Sequence, residues 1–296
     1  MPIIFHQPTS RRSFLKTALF GGAALVVLNP ALSAADAGSE FRIALLSDTH
    51  VPGDRKNGYR GFNPWENLQA VVPEVSAIKP QAVILNGDAA RLEGKPEDYQ
   101  EVKSLLEPLA SVAPIYLSLG NHDDRANFLR VFDKRSGAPA PVDGKCITLV
   151  EHPLMRFVLL DSLLYTNKTA GFLGPKQRAW LTSYLPGIND RPVIIFVHHT
   201  LGGDEGDMLD ADQFFAVLKP HPHVKAVFYG HSHQWKLTER QGLRLVNLPA
   251  VGYNFADSEP VGWVDARFRA DGVNLTLHAR GGNRDQDGKI SDLSWS

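Results

Sequence analysis

The chain has 296 residues, 43% hydrophobic and 21% charged, a profile that fits a folded globular protein and excludes a disordered or fibrous one. Lysine plus arginine total 31 and aspartate plus glutamate 32, so the formal net charge is −1, without the electrostatic footprint of a polyanion-binding groove. A single cysteine, Cys146, excludes an internal disulfide, a thiolate metal cluster and a redox pair, whereas there are 11 histidines.

The first 35 residues stand apart. Ser10-Arg11-Arg12-Ser13-Phe14-Leu15-Lys16 precedes an uncharged stretch from Thr17 to Leu28 and small residues from Ala31 to Ala35. Charged, apolar, then small is the order of an export signal. The arginine pair followed by Phe-Leu-Lys resembles the bacterial twin-arginine translocation signal. Its apolar run of about 12 residues falls short of the roughly 20 that cross a bilayer, so no stable membrane span is expected. The expected organisation is a signal peptide at 1–35, one domain at 36–280 and a polar, loosely held tail at 281–296. Cleavage near Ala34 or Ala35 removes Arg11, Arg12 and Lys16 and no acid, leaving 28 basic and 32 acidic residues and a charge of −4. That argues further against a nucleic-acid polymer as partner. The resemblance implies a periplasmic or secreted protein whose partner during export is the twin-arginine translocase.

From Phe41 onward, short apolar runs alternate with helical patterns. Runs at Arg42–Leu46, Ala82–Leu85, Ile115–Leu119, Phe157–Leu160, Val193–Val197 and Val224–Tyr229 predict buried strands. Helices are expected at Trp65–Ile78, Pro96–Leu109, Pro175–Leu185 and Asp212–Leu218. This alternation indicates an α/β domain with a largely parallel core, followed by antiparallel strands around Leu237–Leu248 and Gly262–Ala279. Val51–Asn63, Lys134–Lys145 and the acidic Leu201–Asp212 segment are expected as loops. The last lacks the spacing and closing glutamate of a calcium loop and is expected to be solvated or lid-like.

Five of the predicted strands end in metal-ligating residue types. These ends are Asp48-Thr49-His50, Gly87-Asp88, Gly120-Asn121-His122-Asp123, His198-His199 and Gly230-His231-Ser232-His233. In α/β sheets ligands gather beyond the carboxyl ends of strands, so the five loops can converge. Residues two apart in an extended segment point the same way, so Asp48 with His50, or His231 with His233, could chelate one metal or serve two adjacent ones. Asp88 has two oxygens with which to bridge cations, and Asn121 adds a neutral carbonyl oxygen. Oxygen and imidazole donors without thiolate suit Mn, Fe, Zn or Co. Singly these motifs are weak, since Gly-Asp is ordinarily a turn and a histidine pair ordinarily a satisfied buried one. The set carries the weight.

Together the motifs from Asp48 to His233 resemble the calcineurin-like metallophosphoesterase superfamily, and within it the class III cyclic-nucleotide phosphodiesterases. Asp161-Ser162 and the segment Gly174-Pro175-Lys176-Gln177-Arg178-Ala179-Trp180-Leu181 add to that likeness. The resemblance implies a four-layer α/β sandwich, two mixed β-sheets flanked by helices, and two divalent or mixed-valence metal ions. One metal would be held by Asp48, His50 and His233, the other by Asn121, His198 and His231, with Asp88 bridging. His198 is preferred over His199 because the family's ligand directly follows the strand. His122 would be the general acid, and Asn121 and His122 would contact substrate. The implied chemistry is attack of a metal-bridging hydroxide on phosphorus.

Two departures matter. The family often has an acid three residues after the bridging aspartate, supporting the Asn-His histidine; Arg91 stands there, and Asp123 is expected to substitute. Arg91 itself is expected to be solvated rather than to touch phosphate. The loop also lacks the tyrosine that colours purple acid phosphatases. The expected function is hydrolysis of small phosphodiesters, with a phosphomonoesterase or a non-catalytic metal- or phosphate-binding protein as alternatives.

Overall fold

In the computed structural model, residues 4–5, 40–132 and 140–295 are described. The twin-arginine stretch, its apolar run and the cleavage region at 10–35 lie outside the described residues, as do residues 134–139 of the loop expected at 134–145. Among the described residues no helix is long and apolar enough to cross a membrane.

Strands β1 (Ile4–Phe5), β2 (Phe41–Leu46), β3 (Ala82–Asn86), β4 (Ile115–Ser118), β11 (Pro260–Arg269), β12 (Gly272–Gly282) and β13 (Ile290–Ser294) form one sheet in the order β1-β4-β3-β2-β11-β12-β13. A second sheet runs β5-β6-β7-β8-β10-β9, from β5 (Thr148–His152), β6 (Met155–Leu159), β7 (Val193–Phe196), β8 (Val224–Tyr229), β9 (Lys236–Arg240) and β10 (Leu243–Asn247). Each sheet has a parallel centre, β2-β3-β4 and β6-β7-β8-β10, with antiparallel strands added at its edges. Both sheets are therefore mixed, as the family resemblance implies. The apolar runs alone had pointed to a largely parallel core, because the antiparallel strands are edge or late strands with weaker apolar signal.

Side-chain alternation explains why there are two sheets. Phe41, Ile43 and Leu45 of β2 meet Phe157, Leu159, Ile194, Phe196 and Phe228 in a core between the sheets. The opposite face of β2, Ala44 and Leu46, packs under helices α1 (Pro64–Ala77), α2 (Pro96–Ala110) and α3 (Arg125–Phe132). In β7, Ile194 and Phe196 face the other sheet. Val193 and Ile195 pack with Leu181, Phe214 and Leu218 of α4 (Pro175–Tyr184) and α5 (Ala211–Leu218). Three apolar layers between four layers of backbone follow from period-two strands that are apolar on both faces.

Three elements differ from expectation. The tail is not loosely held: β13 pairs antiparallel with β12 from Gly272–Ser294 to Thr276–Ile290, and Leu293 and Trp295 pack against the inter-sheet core. A strand with one packed face and charged neighbours carries little apolar signal. β5 is an edge strand that pairs only with β6. α3 follows an unrecognised cap, in which the Asn127 N–H donates to Asp124 Oδ1 at 2.8 Å.

Candidate metal centre

All the ligating residues singled out in the sequence lie at the carboxyl ends of the parallel strands, where the two sheets meet. Asn86 ties the sheets there, accepting from Ser118 Oγ at 3.0 Å and donating from Nδ2 to the Val197 carbonyl at 3.2 Å. Asp48, His50, Asp88, Asn121, His198 and His233 are each no more than 1% exposed, and His231 is half-buried.

The paired motifs converge by a different route from the extended one expected. Asp48, His50, Asp88, His231 and His233 all have positive φ, from 46° to 69°, a region that non-glycine residues seldom occupy. Main-chain bonds hold them there: Asp48 N–H to the Gly87 carbonyl, His50 N–H to the Asp88 carbonyl, and Gly252 N–H to the Asp48 carbonyl, at 2.9–3.1 Å. Such a cluster of strained residues marks a site whose geometry is fixed by its surroundings. Glycine is required at two contacts. A β-carbon on Gly87, itself at φ +83°, would strike the His198 ring, and one on Gly230 would strike Ser47 Oγ and Asp48 Oδ2.

Main-chain carbonyls fix the imidazoles. Nδ1–H of His50 donates to the Arg91 carbonyl at 3.2 Å, of His198 to Asn86 at 2.8 Å, of His233 to Tyr253 at 2.5 Å and of His122 to Leu92 at 3.0 Å. Each leaves Nε2 facing the cluster. His231 is reversed: Nε2–H donates to the Gly206 carbonyl at 3.0 Å, leaving Nδ1 2.8 Å from Asn121 Oδ1. Thus the Leu201–Asp212 segment is not merely a solvated loop. Its Gly206 carbonyl orients a histidine, Asp210 accepts from the Leu173 and Gly174 N–H groups, and its exposed positions, Gly202–Glu205, Leu209 and Asp212, alternate with buried ones.

The carboxylates sit between these rings. Asp48 Oδ1 is 3.3 Å from His233 Nε2, and Asp48 Oδ2 accepts from Ser47 Oγ at 2.5 Å. Asp88 Oδ2 lies 3.2 Å from His198 Nε2 and 3.7 Å from His50 Nε2, while its Oδ1 accepts the His122 N–H at 2.8 Å. Burial alone would drive Asp48 up, but the charges of His198 and His233 outweigh it and hold the carboxyl at about 2. Burial alone would likewise lower His198, yet Asp88 and Asp48 raise it to about 10. The cluster therefore demands positive charge. In the other direction, burial and the neighbouring rings push His50 down to about 3 and His231 to about 4.

These donors fit metal ions. With both Nδ1 atoms committed to carbonyls, His50 and His233 turn two lone pairs toward each other with Nε2 atoms 3.1 Å apart. That is the edge length expected between two ligands with metal–nitrogen bonds of about 2.0–2.1 Å. The Asn121 oxygen and His231 Nδ1 make a second such acceptor pair, and buried His198 Nε2 has no hydrogen-bond partner among the described residues. Three groups of converging ligand atoms result: Asp48, His50 and His233; Asp88, His198 and His231; and His50, Asp88 and His122.

His199 joins none of them. Its Nδ1 is 2.7 Å from Ser162 Oγ, and burial with the charge of His198 holds it well below the usual imidazole range. Asp123 does not support His122. Its carboxylate instead accepts from the N–H groups of Gly120 and Ala90 and from the Tyr99 hydroxyl, at 2.8–3.2 Å, clamping two loops together. Burial and the charge of Asp88 raise it to about 6. His122 takes its orientation from the Leu92 carbonyl, a main-chain group that no side-chain motif reveals. Nor is Arg91 solvated as expected. Its guanidinium lies 5.0 Å over the Tyr59 ring and 5.5 Å over that of Tyr253, which packs 4.8 Å from both His50 and His233.

The calcineurin-like phosphoesterase family profile matches residues 41–235. A glycerophosphodiester phosphodiesterase, GpdQ, of Enterobacter lignolyticus is 27% identical over 230 residues, covering 74% of this chain and 81% of that protein. The 3′,5′-cyclic adenosine monophosphate phosphodiesterase CpdA of Escherichia coli is 28% identical over 258 residues, 80% and 89% of the two chains. In fold, a dimetal phosphatase from Danio rerio superposes with a TM-score of 0.69 at 17% identity, over 86% of this chain and 99% of that one. With the two mixed sheets and the converging ligands at their junction, the profile match places the chain in the calcineurin-like phosphoesterase family, as a phosphoric ester hydrolase.

Proposed function

We propose that the chain is an exported, dinuclear-metal phosphodiesterase acting on small organic phosphodiesters. The observation that carries this is the sharing of one carboxylate, Asp88, between a His50 side and a His198 side of the cluster. Asp48, His50 and His233 would hold one ion and Asn121, His198 and His231 the other, with Asp88 reaching both. The donor set suits Mn, Fe, Zn or Co. Two such cations, when bound, lower the pKa of a shared water toward neutrality and neutralise phosphate charge.

The remaining work belongs to the side chains. Asn121 and His122 flank the phosphate position. With Nδ1–H held by Leu92, the second ring nitrogen of His122 is the one that can carry a proton to the departing alkoxide. The names of the two relatives, both phosphodiesterases, support a diester over a monoester.

Mn-loaded protein is expected to release p-nitrophenol from bis(p-nitrophenyl) phosphate faster than from p-nitrophenyl phosphate. The reverse order would make it a phosphomonoesterase, and no rate above free Mn would make it a binding protein that kept the fold. Export rests on the arrangement at residues 10–35. The chain is expected in the periplasmic fraction of a bacterial host, and Arg11→Lys with Arg12→Lys should strand it in the cytoplasm. Unchanged fractionation of that variant would remove the twin-arginine route.

A further inference from the structure

The main-chain carbonyls decide which nitrogen of each imidazole faces the cluster. One hydrogen bond does not stop a ring from rocking, because the terminal torsion of a histidine is soft. For His50 and His233 the rocking matters, since their Nε2 atoms face each other 3.1 Å apart. Lone pairs that face each other repel, so packing has to hold the two rings in place. One side chain touches both. The Tyr253 ring lies 4.8 Å from His50 at 32° and 4.8 Å from His233 at 56°. Phe255, half exposed, lies flat against His233, with centroids 4.2 Å apart at 21°.

Arg91 holds Tyr253 in turn. Its guanidinium lies 5.5 Å over the Tyr253 ring and 5.0 Å over that of Tyr59, which meets Tyr253 edge to face at 4.8 Å. Arg91 Nε and Nη1 are closed to solvent and have no acceptor among the described residues, so ring faces are the partners the structure gives this cation. A cation over a tyrosine face is attracted by the ring quadrupole, most strongly where water is excluded. The same two residues also grip the histidines through the backbone. The Arg91 carbonyl accepts from His50 Nδ1–H and the Tyr253 carbonyl from His233 Nδ1–H. The cation–ring contact therefore joins the two grips, and an acid at position 91 could not make it. We propose that Arg91 and Tyr253 are positioning residues that fix the spacing of His50 and His233 around one metal ion. The proposal rests on the two-ion reading and assigns these side chains a part in it.

The test loads the full-length protein with Co(II). Stepwise removal by a chelator measures how firmly each ion is held, and the visible absorption of Co(II) reports its ligand geometry. Tyr253→Leu is expected to weaken one of the two ions about 10- to 100-fold and to change its absorption, with far less effect on the other. Tyr253→Phe keeps the ring and the carbonyl and should restore wild-type binding. Arg91→Met should weaken the same ion about 3- to 10-fold, and Arg91→Lys, which keeps a cation, should recover part of that loss. If Tyr253→Leu fails to fold, the half-buried Arg91 still decides the matter. Wild-type affinity and absorption in the Leu and Met variants would overturn the proposal. So would equal weakening of both ions with a lower melting temperature, which would make the side chains supports of the fold alone. If wild-type protein takes up no Co(II), the two-ion reading and the proposal fall together. If it takes up two ions and the variants match it, only the positioning role falls.

Discussion

Asp88→Asn is expected to lower phosphodiester turnover on the order of 10³-fold and to reduce bound metal in the same preparation. The reason is positional. One oxygen of Asp88 accepts the His122 N–H at 2.8 Å, a bond that an asparagine carbonyl can keep, so the loop should retain its shape. The other oxygen stands 3.2 Å from His198 and 3.7 Å from His50, and there the change puts a neutral amide where both halves of the cluster need negative charge. Metal content by elemental analysis, set beside kcat and the melting curve, separates loss of the centre from loss of the fold. Wild-type turnover with full metal content would show that Asp88 does not link the two halves.

His122→Ala has a different signature. Its side chain is half-buried and can be removed without opening the core, and although its ring converges with His50 and Asp88, His122 lies outside both ligand sets proposed for the two ions. Metal content should stay at the wild-type value. Turnover should fall by about 10²–10⁴-fold on esters whose alcohol leaves poorly, because a general acid matters most when the departing oxygen is basic. An ester of p-nitrophenol, whose oxygen leaves without a proton, should lose far less. Equal losses on both classes would remove the acid role and leave His122 a phosphate contact alone.

The candidate ligands were legible in the sequence because each is a side chain of telling chemistry placed directly after an apolar strand. Asp48, Asp88, Asn121, His198 and His231 needed only the pattern of strand followed by donor. What positions them was not legible. The groups that select each imidazole tautomer are carbonyls of Asn86, Arg91, Leu92, Gly206 and Tyr253, and every residue type has a carbonyl. The left-handed backbone at Asp48 and His50 was hidden for a related reason, since it is imposed by hydrogen bonds from distant loops and not by glycine. Arg91 looked solvated because its aromatic partners are 32 residues before it and 162 after it in the chain. Tyr253 and Phe255 follow the last motif, where no pattern called attention to them. In the fold, strands apolar on both faces announced themselves, whereas β13, with one packed face, read as a polar tail.

Because the five histidines around the centre are steered by the main chain, the steering cannot be deleted by exchanging a neighbouring side chain. Substitution at Leu92 or Gly206 changes what hangs from the backbone and leaves the carbonyl in place. The electronic state of the rings is thus inherited with the course of the polypeptide, and the surrounding sequence is free to drift. The vulnerable points are those where the backbone itself is pressed, above all Gly87 and Gly230, where one added methyl group would reach His198 or Asp48 directly.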